Sequence, residues 1–166
     1  MYTHISIYPC TRLYYRCYSF IGRLPRRFQP QGVSLGSGCV FDGVVIHELG
    51  HAIGFYHEHT RPDRDRYIDV IYDNIENGFE DQFRKFQPGQ TNTLGLGYDF
   101  QSIMHYRRNT FSKDGSDTIR PKVPTSSFGT SRQLSPLDIA KARALYNCRT
   151  TGKLPYHKFD LSFCDS

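Results

Sequence analysis

The segment His47-Glu-Leu-Gly-His51-Ala-Ile-Gly54-Phe-Tyr-His57 gathers three imidazoles and a carboxylate into one short stretch of chain. On a helix, His47 and His51 lie one turn apart on the same face, so both can address one ion about 2.0 Å from each nitrogen. A helix running straight on past His51 brings no third ligand from another direction. Gly54 removes that obstacle, because without a Cβ it can take φ > 0 and turn the chain until His57 returns to the same ion. Three neutral imidazoles leave a zinc ion with one open position for water, the arrangement of a catalytic site rather than a closed structural one. Glu48, beside the first ligand, is placed to take a proton from that water and carry it to a leaving amine. The chemistry that fits is peptide hydrolysis without a covalent intermediate. A bare His-Glu-x-x-His is a short pattern, and helical histidines are more often packed or solvated than ligating; Gly54 and His57 give this one its specificity.

The elements that must hold these residues can be read on either side. The spacing predicts a helix over 42–53, with Val45, Leu49, Ala52 and Ile53 as its apolar face, the histidines on another face, and Gly54 at its end. Upstream, 2–7 alternates loosely and 13–21 is aromatic-rich, which reads as one or two strands. Residues 22–38 are mostly loop around Pro25 and Pro30, with a short strand at 32–35. Downstream, 66–72 alternates like a strand, 74–86 reads as a weakly amphipathic helix and 87–97 as polar loop. Ser135-Pro-Leu-Asp138 is a capping-box start for a last helix to about residue 147, with Ile139, Ala142, Leu145 and Tyr146 inward.

The run from His47 through His57-Glu58-His-Thr-Arg61-Pro-Asp63-Arg64-Asp65, with Tyr98-Asp-Phe-Gln-Ser102-Ile-Met104-His105-Tyr106, resembles the astacin family of zinc endopeptidases within the metzincin clan. Cys17-Tyr-Ser19-Phe-Ile-Gly22-Arg23, Gly38-Cys39-Val-Phe-Asp-Gly43 and the stretch from Leu134 to Cys148 are similar to it as well, so the likeness covers most of the chain. The resemblance implies an α+β, two-lobed catalytic domain. Its parts are a partial upper-lobe sheet, the active-site helix, and a loop-rich lower lobe closed by the C-terminal helix. It implies one Zn2+ per chain on His47, His51 and His57. Tyr106 is then a further zinc ligand that swings to stabilise the tetrahedral intermediate, and Met104 the hydrophobic floor beneath the metal. Cys17, Tyr18 and Ser19 become the upper-rim strand that receives an extended substrate, and Cys17 pairs with Cys39. Glu58 becomes the glutamate bound by the amino terminus of the mature enzyme, while Cys148 has lost its usual partner, with Cys10 as the candidate substitute at a spacing before Cys17 unlike the family's. Arg132 stands where family members carry a determinant for the residue just after the cut, which predicts an acidic preference.

At 166 residues the chain fits one domain. We expect the peptidase domain over 1–148, its upper lobe incomplete, and a tail or the start of a truncated module over 149–166. The net charge of +5 is scattered, with no basic stripe interleaved with aromatics, so nucleic acid is not an expected partner. No apolar run approaches the roughly 20 residues of a membrane span. Five cysteines, none in a Cys-x-x-Cys pair, argue against a zinc ribbon and for disulfides in an oxidising compartment. The first ten residues read as no signal peptide, and the odd cysteine count suggests a missing part of the natural chain. By resemblance the protein is secreted and active on extended polypeptides; the sequence leaves the oligomeric state open, with a monomer as the expectation. The alternative, motivated by the incomplete upper lobe, is a non-catalytic zinc- or peptide-binding remnant.

Overall fold

A computed structural model describes residues 5–9, 17–36, 39–40, 42–125 and 127–148. Strands β1 (Ile5–Pro9), β2 (Cys17–Ser19) and β3 (Gln31–Leu35) form a mixed sheet in the order β1-β3-β2. β1 runs parallel to β3 with Ile5 opposite Gln31, and β2 runs antiparallel with Cys17 opposite Leu35. Of the expected strand over 13–21, residues 17–19 are a strand and 13–16 lie outside the described residues. Gln31 is fully buried and braces the loop back from β2: its Oε1 accepts from Leu24 N at 2.9 Å and its Nε2 donates to Gly22 O at 2.9 Å.

Helix α1 (Asp42–Ala52) follows, matching the expected start. Its buried apolar residues are Ile46 and Ala52, serving two neighbours, rather than the single stripe through Leu49 that the spacing suggested. Ala52, with Val44 and Val45, packs on Val33, Leu35 and Cys39 of the sheet side, whereas Ile46, with Ile53, packs on Phe55, Ile103 and Met104. A helix held between two apolar clusters needs apolar residues on both sides, which blurs a one-face pattern. The Cys17–Cys39 disulfide ties β2 to the segment entering α1.

From residue 57 to residue 130 regular structure is sparse. β4 (Ile68–Val70) and β5 (Ile119–Pro121) make a two-stranded antiparallel ribbon, and short 3₁₀ turns fill much of the rest. The helix expected over 74–86 is not formed. Tyr72–Asn74 and Glu80–Phe83 are separate 3₁₀ turns, and Ile75 sits in an isolated bridge to Ser112. Gly78 at φ +93° breaks the helical path midway, and the Asn74 side chain is spent on Asp117 O at 2.8 Å. The four-residue spacing of Ile75, Phe79 and Phe83 mimics a helical face, yet these side chains reach the core with Ile68, Tyr98, Ile119 and Phe128 from consecutive turns.

Helix α2 (Pro136–Leu145) begins with the expected capping box: Asp138 N donates to Ser135 Oγ at 2.9 Å and Ser135 N to Asp138 Oδ2 at 3.0 Å. Its inward face differs from the expected one. Leu145 and Tyr146 are exposed, Ala142 packs beside Ile103 and Met104, and the fully buried residue is Asp138. The architecture is therefore α+β, and no helix among the described residues is long and apolar enough to cross a membrane. Residues 149–166, the expected tail, lie outside the described residues.

Candidate metal centre

α1 delivers His47 and His51 from successive turns, and its exit is built to bring in the third ligand. Gly54 N donates to His51 O at 2.8 Å and Phe55 N to Gly50 O at 2.9 Å, the paired bonds of a Schellman motif around a C′ glycine. Gly54 has φ +106°, as the sequence required, and a Cβ there would meet Leu145 Cδ2 at 3.3 Å. The chain reverses and places His57 Nε2 3.1 Å from His47 Nε2 and 3.1 Å from His51 Nε2.

The other ring nitrogens decide what those three can do. His47 Nδ1 lies 2.8 Å from Ile103 O and His51 Nδ1 lies 2.8 Å from Phe55 O. Carbonyls only accept, so both Nδ1 atoms carry the proton, and both Nε2 atoms present lone pairs toward His57. Burial lowers the pKa of all three imidazoles, to about 4 for His51, where His47 adds repulsion; for His57 the surrounding histidines reinforce it. Neutral, buried lone pairs converging on one point are the donor set that a zinc ion takes, and His47, His51 and His57 fit it.

Glu48 follows His47 on α1 and is buried. Desolvation raises its pKa to about 7, and its Oε2 has no hydrogen-bond partner among the described residues. Tyr106 lies against the ligands, its ring centroid 4.5 Å from that of His57 and stacked 4.0 Å from that of His59. Burial, and secondarily the Glu48 carboxylate, push its phenol up to about 12. Met104 is almost fully buried, and its Sδ would lie 2.7 Å from a Cβ on Gly50, so the methionine packs directly beneath the ligand helix.

The remaining sequence candidates are placed as follows. Glu58 is 3% exposed; its Oε1 accepts from Asp99 N at 2.9 Å and Arg61 Nη1 at 3.3 Å, and its Oε2 from Lys141 Nζ at 2.5 Å. Cys17, Tyr18 and Ser19 form the edge position of the described sheet beside α1, joined to it below by Gly22 N donating to His51 O at 2.8 Å. Arg132 is exposed, its backbone packed against Gly43 at the start of α1, where a Cβ would meet Arg132 Cα at 3.1 Å. Cys17 and Cys39 are bonded as the resemblance implied, and Cys148 is also disulfide-bonded.

Sequence reasoning missed the supports behind the ligands. Asp138 accepts from Ser102 Oγ at 2.6 Å and Ile103 N at 2.9 Å, and Ile103 O is what receives His47 Nδ1. His105, buried, places Nδ1 2.7 Å from Tyr106 O and Nε2 2.7 Å from Tyr98 Oη. The capping box did single out Asp138, but as a helix start only.

Comparison with known proteins agrees with this geometry. The family model for astacin, a peptidase family, matches residues 4–147. Human tolloid-like protein 1 is 49% identical over 142 residues, covering 82% of this chain and 14% of its own length. Zinc metalloproteinase nas-39 of Caenorhabditis elegans is 48% identical over 141 residues, covering 82% of this chain and 15% of its own. The chain thus spans a small part of these longer relatives. Among solved structures, high choriolytic enzyme 1, a hatching enzyme zinc-protease from Oryzias latipes, superposes with a TM-score of 0.76 at 39% identity, over 90% of this chain and 71% of that one. With the ligand triad, the Gly54 exit and the buried methionine in place, the chain belongs to the astacin family.

Proposed function

We propose that this protein is a zinc-dependent endopeptidase that hydrolyses extended polypeptides. The observation that carries the reading is the convergence of three Nε2 lone pairs, two of them fixed by Nδ1 bonds to carbonyls, beside a buried carboxylate whose Oε2 is unpaired among the described residues. His47, His51 and His57 would hold the zinc, which would supply a Lewis acid able to bring the pKa of a bound water to about 7 and to polarise the scissile carbonyl. Glu48, with its pKa raised to about 7, is matched to accept a proton from the attacking water and to return it to the leaving amine. Tyr106, whose phenol stays protonated at neutral pH, donates to the oxygen on which negative charge develops.

The edge position of β2 beside α1 fits a rim along which an extended peptide lies, with Cys17, Tyr18 and Ser19 supplying backbone contacts. Arg132, exposed against the N-terminal end of α1, is suited to an acidic side chain just past the cut. The Cys17–Cys39 disulfide supports a secreted enzyme.

Glu48→Gln tests the mechanism. The variant is expected to keep one zinc per chain while cleavage of a casein substrate falls by about 10²–10⁴-fold. Cleavage at the wild-type rate would remove Glu48 from its role, and a wild-type protein that bound zinc yet cut no peptide library would make the chain a zinc-binding remnant instead.

A further inference from the structure

His57 differs from the other two ligands in having no helix to fix it. Its backbone is held by the next residues: Glu58 N donates to Met104 O at 3.0 Å, and Thr60 Oγ1 donates to His57 O at 2.6 Å. The side chain of Glu58 is therefore one peptide bond from the ligand, and it is buried. A buried carboxylate needs a countercharge, and two cations are close. Arg61 spends most of its fork on Asp63, with Nε to Oδ1 and Nη2 to Oδ2 both at 2.9 Å, and on the carbonyls of Leu96 and Gly97. Lys141, its side chain 12% exposed, makes a 2.5 Å contact to Glu58 Oε2 and has no other carboxylate within ion-pair reach among the described residues.

Lys141 sits three residues after Asp138 on α2, so the two side chains leave the same face of the helix. Asp138 fixes Ile103, whose carbonyl orients His47, and Lys141 fixes Glu58, the neighbour of His57. One helix thereby grips the metal centre from both ends of the ligand set.

We propose that Lys141 is a positioning residue for the third zinc ligand, its ammonium locking Glu58 so that His57 is held in place before the metal arrives. The proposal rests on the zinc reading of the triad. Loss of an outer partner of a ligand usually weakens metal affinity by about 10–100-fold. Zinc affinity, measured by competition with a chelator of known strength, is expected to fall by about that factor in Lys141→Met and to stay within about threefold of wild type in Lys141→Arg. Glu58→Gln placed in the Lys141→Met background removes the stranded charge without restoring the lock, so it is expected to recover stability but not affinity, and the cobalt-loaded Lys141→Met protein should show a shifted visible absorption band.

Wild-type protein that took up no stoichiometric zinc would defeat the zinc reading itself. Wild type that bound zinc with Lys141→Met binding it equally tightly would defeat only the role of Lys141. If Lys141→Met does not fold, the double variant Lys141→Met/Glu58→Gln, which has no buried charge left unpaired, decides: affinity lowered by about 10–100-fold supports the role, and affinity near wild type overturns it.

Discussion

His47 and His51 stand on an eleven-residue helix whose backbone bonds are local, whereas His57, Met104 and Tyr106 stand on loops between residues 57 and 130 whose described residues form three-residue strands and short 3₁₀ turns. The loop region is nonetheless a packed body, with Phe83, Ile68 and Ile119 at 1% exposure or less. Its carbonyls are met by side chains reaching across: Arg61 to Leu96 O and Gly97 O, Arg64 to His59 O and Phe83 O, Thr118 to Thr110 O. Where backbone cannot pair with itself, long polar side chains take over, because a buried carbonyl left alone costs about 1–3 kcal/mol. Single polar side chains should thus matter more in the loop region than on the helix.

The largest effect expected from this contrast is acid sensitivity. Two imidazoles of the loop region that are not part of the ligand triad are buried: desolvation lowers the pKa of His59 to about 3 and of His105 to about 4. Both folded values lie below the unfolded value near 6.5, so the unfolded chain takes up protons first. The stability is complete above about pH 6.5 and drains as pH falls toward 4 and 3, by about 1.4 kcal/mol per pH unit for each imidazole. Denaturant unfolding of zinc-free protein at pH 7, 6 and 5 should show this slope on top of that of the three ligand imidazoles, whose pKa burial also lowers, and His59→Phe, which keeps an aromatic ring between Tyr106 and Phe83, should flatten it by one imidazole's share. An unchanged slope in His59→Phe would mean that acid acts elsewhere.

Next in size is Arg64, 5% exposed, with Nη1 donating to Phe83 O at 2.5 Å and His59 O at 3.1 Å. Arg64→Met keeps much of the stem but strands His59 O and leaves Phe83 O only the Tyr72 hydroxyl at 3.3 Å, which should cost about 1–3 kcal/mol in chemical denaturation. Its exposed neighbour Arg66 should tolerate the same change within about 0.5 kcal/mol. Equal losses at the two positions would show that the loops are not held by these struts.

The same contrast explains what could be read in the chain before folding. α1, its glycine exit and the capping box of α2 are written in cues a few residues apart, and each was legible. The strand order β1-β3-β2 was not, since no local spacing states that the first strand pairs with the third. Residues 74–86 were misread because Ile75, Phe79 and Phe83 keep a helical spacing for a different reason, each facing the core from its own turn. Lys141 and Asp138 stayed hidden because their partners Glu58 and Ile103 lie 83 and 35 residues away. The ligands were legible and their supports were not.

Gly54 is where the two regions meet, and it carries the smallest of these effects on stability with a larger one expected at the metal. At φ +106° an alanine is strained, and its Cβ would also press on Leu145 Cδ2 at 3.3 Å. The strain alone is about 1–2 kcal/mol, a modest loss for the fold. Relief, however, requires the chain after α1 to rotate, and that rotation moves His57 away from a helix that keeps His47 and His51 where they are. Gly54→Ala should therefore lose zinc affinity by more than its unfolding free energy suggests, whereas alanine at Gly78, also at positive φ but with nothing within 4 Å of the added Cβ and no ligand downstream on the same turn, should lose stability alone. Equal zinc affinity in the two variants would show that the helix exit does not set the position of the third histidine.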